Sequence, residues 1–148
     1  LKQSSMGSLY SASISPPACQ QIISALSMIL GEDGTNMGAQ KLKAIARNAT
    51  YFRSKLREYG FHVLGDDGSP VVPLMLYVPS QIKAFSLEAL KHGMAVVVVG
   101  FPATPLLLSR VRFCINAAHT MEELEEAVEN IKKIGDTLGL RYDVGSCA

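Results

Sequence analysis

At 148 residues the chain has room for one domain with a real core, and two would be crowded. Hydrophobic residues make up 48% of it and the mean hydropathy is positive, which fits either a tight core or a surface that packs against something else. A formal charge of +1, with no basic stripe and no aromatic-basic interleaving, gives no case for nucleic acid, and no apolar run has the length of a membrane span.

The start, Leu1-Lys2-Gln3, has no initiator methionine and reads as that of an excised segment. Ser15-Pro16-Pro17 is a helix start, with Ser as N-cap and prolines in the first turn, where a missing N–H costs nothing. The helix carries Ile22, Ala25, Leu26, Ile29 and Leu30 on one face and ends over Gly31 to Gly34. A second helix is predicted over 36–59, because Leu42, Ile45, Ala49, Phe52, Leu56 and Tyr59 recur at threes and fours, with Gly60 as its stop. The pattern then shortens to strands. Residues 61–64 read as a short strand, Asp66-Asp67-Gly68 as a turn, and 71–78 as a mostly apolar strand between Pro70 and Pro79. A helix over 80–92 stops at Gly93, and the unbroken run 95–99 predicts a buried strand. Gly100-Phe101-Pro102-Ala103-Thr104-Pro105 is a stiff loop, and 111–117 is the last strand. Thr120-Met121-Glu122-Glu123 is a capping box opening a helix with Leu124, Val128, Ile131 and Leu138 inward. Two helices followed by β-β-α-β-β-α predict an α+β fold: a small, mainly antiparallel sheet with helices on one face.

No complete active site stands out. There is no glycine-rich phosphate loop before a helix, no Gly-x-Ser-x-Gly elbow and no metal-ligand spacing among His62, His92, His119, Cys19, Cys114 and Cys147; the cysteines read as reduced structural thiols. The partial candidates are three. Arg110 and Arg112 share one face of a strand, and an arginine amid apolar β-structure calls for an anion, a carboxylate above all; the plainer reading is two surface arginines on an exposed face. His119 closes the strand before the Thr120 cap, and a structural hydrogen bond is the favoured reading over chemistry. Ser11 and Ser13 precede a helix N-terminus, where they would either meet a phosphate or simply cap.

Segments taken in order add a resemblance. Tyr10-Ser11-Ala12-Ser13-Ile14-Ser15-Pro16-Pro17 resembles the segment before the first small-domain helix of the α-oxoamine synthases. Gly100-Phe101-Pro102-Ala103-Thr104-Pro105, followed by Arg110-Val111-Arg112-Phe113-Cys114-Ile115-Asn116-Ala117-Ala118-His119-Thr120, resembles their C-terminal signature. Within that family, Gly34-Thr35, Tyr51-Phe52-Arg53, the run 69–77 and Val96-Val97-Val98-Val99 are similar to eukaryotic serine palmitoyltransferase catalytic subunits. The resemblance implies the small C-terminal domain of a fold-type I enzyme that uses pyridoxal 5'-phosphate (PLP) to condense L-serine with palmitoyl-CoA. It implies a linking segment over 1–14, the domain over 15–142 and a disordered tail over 143–148. Carried over residue by residue, Arg112 grips the substrate carboxylate and Ser11 and Ala12 contact the cofactor phosphate in a neighbouring subunit. The loop with Pro102 and Thr104 borders the substrate entrance. Bacterial relatives carry arginine at the position of Gly100, so Arg110 is the alternative for a second carboxylate contact. The family's PLP lysine sits upstream in a Thr/Ser-x-Ser/Thr-Lys context that none of these lysines shares, so the chain alone is expected to be inactive and, with apolar surface uncovered, to self-associate. A heteromer with a second subunit at the endoplasmic reticulum membrane is implied as well.

Overall fold

Each helix begins and ends where its local chemistry requires. A computed structural model describes residues 14–32 and 34–140; Ser11, Ala12, Ser13 and Cys147 lie outside them. The chain divides into two compact units, Leu1–Lys41 and Leu42–Ala148.

In the first unit, helix α1 (Pro16–Leu30) starts after Ser15, which has extended backbone, with both prolines in the first turn; the serine side chain makes no capping bond. Gly31 closes the helix at φ 76, its N–H and that of Glu32 returning to Met28 and Ser27 carbonyls. No residue of α1 is buried, so the apolar face read from the sequence is exposed, Leu30 by 71%. Gly38, in the first turn of α2 (Met37–Glu58), allows close approach: a Cβ there would fall on the Met28 carbonyl and 2.8 Å from Ile29 Cα.

The second unit holds the core. The stripe of α2 is buried only in its later half, at Ala49, Phe52 and Leu56, while Leu42 is exposed. Gly60, at φ 81, adopts the left-handed backbone that lets Phe61 N–H reach the Leu56 carbonyl at 3.1 Å and turns the chain toward the sheet. The sheet has three antiparallel strands in the order β1-β3-β2, with β1 Val71–Tyr77, β2 Val97–Val99 and β3 Ser109–Cys114. Helix α3 (Pro79–Lys91) joins β1 to β2, and α4 (Met121–Leu138) closes the unit. Val72, Leu74 and Leu76 of β1 and Val111 and Phe113 of β3 face one core shared with α2, α3 and α4. Phe113 meets Phe52 and Phe85 edge-on, with centroids 5.3 and 6.5 Å apart. The α+β expectation holds, with α2, α3 and α4 packed into the core on one sheet face.

Three strand expectations are corrected. Residues 61–64 form one isolated bridge, Val63 to Leu74, because the ladder holds only where Leu64 N–H meets the Pro73 carbonyl and Met75 N–H meets that of His62. The run 95–99 pairs only from Val97 and lies at the sheet edge, with Val97 48% exposed; it is not a buried central strand. The last strand starts earlier and stops at Cys114, since Asn116 turns the chain through its own side chain, accepting from Ala118 N–H at 2.7 Å. The capping box is formed on both sides: Thr120 Oγ1 accepts from Glu123 N–H, and Glu123 Oε2 accepts from Thr120 N–H. Gly135 sits under Phe61, where a Cβ would lie 2.4 Å from the ring. No helix among the described residues is long and apolar enough to cross a membrane.

Candidate functional site

The outer face of the sheet differs in character. Alternation along β3 turns Ser109, Val111 and Phe113 inward and Arg110, Arg112 and Cys114 outward. The cross-strand neighbours of Arg112 are Pro73 and Val97, and those of Arg110 are Met75 and Val99. All four are apolar, so no acid faces either guanidinium across the ladder. Among the described residues neither Arg110 nor Arg112 side chain has a hydrogen-bond or ion-pair partner. Arg112 is exposed and Arg110 half-buried. Two uncompensated forks on an apolar sheet suit a carboxylate or another small anion.

A cleft of about 440 Å³ opens at one end of this ladder. Val97 pairs with Arg112, but the preceding residues Met94 to Val96 leave β3, and the gap between them and Phe113 to Ile115 is the cleft. Arg112, His119 and Glu123 give it polar groups, while Phe52, Phe113 and Leu124 supply apolar wall. Glu123 is committed to the helix cap. His119 Nδ1 accepts from Asn116 N–H at 3.5 Å, the structural hydrogen bond expected of it, which leaves the proton of the neutral ring on Nε2.

The turn that carries His119 is held from below. Asn48, fully buried on α2, donates through Nδ2 to the carbonyls of Asn116 and His119 at 3.2 and 2.9 Å, and Arg47 donates to its Oδ1. Arg53, one turn on and 1% exposed, has an equivalent task at the other end of the sheet. It donates to the carbonyls of Asp66, Ser69 and Val71, fixing the turn that enters β1. Neither role was read from the sequence. The available signal was a polar side chain beside a buried one, Asn48 next to Ala49 and Arg53 next to Phe52. Tyr51, on the same helix, bonds Glu125 at 3.3 Å; desolvation and then that carboxylate hold its phenol above the ordinary 10.0.

The loop with Pro102 and Thr104 leaves β2 from the opposite end, after Val99, so it borders Arg110 rather than the cleft beside Arg112. Pro102 is exposed, behind a cis peptide bond. Thr104 is 4% exposed; its N–H bonds the Gly100 carbonyl at 3.2 Å, and its Oγ1 has no partner among the described residues. Gly100 is closed to larger residues unless Ile82 moves, because a Cβ would stand 2.5 Å from Ile82 Cδ1. His62 and Tyr77 stack with centroids 5.7 Å apart and share a hydrogen bond, Tyr77 standing at φ 59 where β1 bulges. The structure thus brings Arg112 and His119 to one cleft and sets Arg110, Pro102 and Thr104 at the other end of the ladder. Ser11 and Ala12 are not described.

The described lysines all lie on helices. Lys41, Lys43 and Lys55 lie on α2, Lys83 and Lys91 on α3, and Lys132 and Lys133 on α4, and none lines the cleft.

Comparisons with known proteins specify the class to which this open antiparallel sheet backed by helices belongs. The family model for aminotransferase class I and II matches residues 2–131, and the chain belongs to that family. It is 56% identical over 142 residues to Long chain base biosynthesis protein 2a of Oryza sativa subsp. japonica, covering 96% of this chain and 29% of that protein. To Serine palmitoyltransferase 2 of Dictyostelium discoideum it is 50% identical over 145 residues, covering 98% of this chain and 30% of that one. The chain thus spans under a third of the length of these relatives. In fold it is similar to the serine palmitoyltransferase of Sphingomonas wittichii, with a TM-score of 0.67, 22% identity and coverage of 71% of this chain and 27% of that one. The 8-amino-7-oxononanoate synthase of Francisella tularensis gives a TM-score of 0.66 at 16% identity, over 91% of this chain and 37% of its own.

Proposed function

We propose that this chain is the C-terminal part of a PLP-dependent serine palmitoyltransferase, which condenses L-serine with palmitoyl-CoA to 3-ketodihydrosphingosine, CoA and carbon dioxide. The observation that carries the reading is identity of 50% to 56% over 96% or more of this chain with relatives named for that enzyme or for long-chain base biosynthesis. Arg112 grips the amino acid's carboxylate, its two parallel N–H groups setting the orientation of the bonds at Cα. Arg110, held between Met75 and Val99 beside the Pro102 and Thr104 loop, adds positive potential at the entrance. Thr104, whose buried hydroxyl has no partner among the described residues, is the loop's polar contact for substrate. Ser11 and Ala12 hold the cofactor phosphate in a neighbouring subunit. The lysine that binds PLP lies elsewhere in the complete protein, which works as a heteromer with a second subunit at the endoplasmic reticulum membrane, its active-site domain facing the cytosol. The chain by itself is inactive.

The test uses the full-length protein purified with PLP. A visible absorption band that shifts with L-serine and is abolished by borohydride is expected. Replacing Arg112 by Lys keeps charge and loses the fork, so serine binding should weaken by about tenfold or more. Unchanged serine affinity would remove Arg112 from this role. A folded protein without the band would leave the second reading, a non-catalytic module binding a small anion at Arg110 and Arg112, which the apolar cross-strand neighbours of both side chains also favour.

A further inference from the structure

In the second unit, exposed apolar side chains gather on the loop from β2 to β3. Of residues 101–108 only Thr104 is buried; Phe101, Leu106, Leu107 and Leu108 all stand in solvent, Phe101 by 71% and Leu107 by 66%. Val78 extends the patch, since β1 pairs Tyr77 with Ser109 and so ends beside Leu108. Single apolar residues scattered over a surface need no explanation, whereas a cluster of five marks a contact the fold does not itself make. With all but one of its residues outward, the loop is a projection and not a groove. Its backbone is prepared for an apolar medium, where polar groups must find partners within the chain. Pro102 and Pro105 have no N–H to satisfy. Thr104 N–H bonds the Gly100 carbonyl at 3.2 Å, Leu108 N–H bonds the Pro105 carbonyl at 2.9 Å, and Ser109 Oγ donates to the Leu106 carbonyl at 3.3 Å. The prolines also hold the tip in shape, so little conformational freedom is lost on insertion.

Charge favours a lipid surface too, as the smaller part of the attraction. Between Asp67 and Glu122 the only acid in the sequence is Glu88, and it pairs with Lys91 at 2.7 Å. Arg110 stands at the root of the loop, and exposed Lys83 follows Ile82, which lies against Gly100. Against these two cations stands Asp136 of α4, two residues before the Leu138 carbonyl that Gln81 bonds, and it is engaged within the protein. We propose that this loop inserts into the surface of an anionic phospholipid bilayer, with Phe101, Leu106 and Leu107 among the acyl chains and Arg110 and Lys83 at the headgroups. Thr104, turned inward, stays with the protein. The inference stands apart from the catalytic reading, because it concerns what the loop rests on and not what is bound beside Arg112.

The sequence has no tryptophan, so Phe101→Trp places a single fluorescent reporter at the tip of the loop. This 148-residue variant is titrated with vesicles of phosphatidylcholine and phosphatidylserine in equal parts, and with vesicles of phosphatidylcholine alone. A blue shift is expected with the mixed vesicles, together with quenching by lipids brominated on their acyl chains. In the same background, Leu106→Ser combined with Leu107→Ser should weaken partition by about tenfold or more. Arg110→Gln should weaken it by about fivefold, on the anionic vesicles alone. Leu26→Ser combined with Ile29→Ser, on the exposed face of α1, should leave the tryptophan signal as it was. Circular dichroism reports the fold of each variant, and the leucines replaced are all exposed. A tryptophan that neither shifts nor is quenched overturns the proposal, as does a loss of partition that follows the α1 pair instead of the loop pair. A blue shift that appears without lipid and grows with protein concentration also overturns it, and assigns the loop to contact between copies of the chain. None of these failures touches the PLP absorbance and serine tests on the full-length protein.

Discussion

The two faces of the sheet obey different rules although they are made by alternate residues of the same strands. On the inner face Val72, Leu74, Leu76 and Val111 are fully buried, in one core that includes residues of α2, α3 and α4. On the outer face Arg110 and Arg112 sit among Pro73, Met75, Val97 and Val99 with no acid opposite them. The inner face is fixed by packing density, so a change of volume is felt at once. The outer face leaves its charges free for a partner that the fold does not itself supply. Packing is concentrated on one side of a single strand and positive charge on the other.

The comparison is broken most forcefully from inside. Phe85→Ala removes a ring that meets Phe113 edge-on and should lower unfolding free energy by about 3–5 kcal/mol, read by chemical denaturation. A small effect would mean that the inner face relaxes freely and does not deserve its contrast with the outer one. Gly135→Val forces Phe61 out of the helix surface and is expected to cost about 1–3 kcal/mol. Pairing it with Phe61→Leu should return part of that loss, since the smaller side chain vacates the space. Asn48→Ala sharpens the boundary between the faces, leaving the carbonyls of Asn116 and His119 without their buried donor. About 1–3 kcal/mol is expected, together with shifted NMR signals for His119; full stability with an unmoved His119 would show that the turn holds itself. Smallest of all should be Arg112→Gln, within about 0.5 kcal/mol of the parent, because the side chain packs on nothing that requires it. A large loss of stability there would erase the distinction between the faces.

Much of this was legible in the chain, and the reasons differ by element. Three of the four described helices are set by local signals: prolines at 16 and 17, the Thr120 box, and glycines at 31, 60 and 139 with left-handed backbone. Such signals act within a few residues and survive without tertiary context. The strands were harder. Val96 to Val99 is as apolar as a buried strand, yet lies at an edge, because an apolar run does not say how many neighbours it will have. Of the site, the shared face of Arg110 and Arg112 followed from a period of two. The cleft did not, since Phe52, Met94, Phe113 and Leu124 come from four separate stretches of chain. Asn48 and Arg53 were invisible for the same reason: their acceptors are backbone carbonyls, which every residue has.

By itself, then, the sequence determined the helices, the strand polarity of the arginines and, through its likeness to known segments, the family. Tertiary structure alone decided that Met94 to Val96 part from β3, that His119 joins Arg112 at the gap, and that Pro102 and Thr104 stand at the opposite end. Local propensity is a matter of a residue and its near neighbours, whereas a cleft arises where two paired strands diverge, and that depends on what the helices behind them leave uncovered.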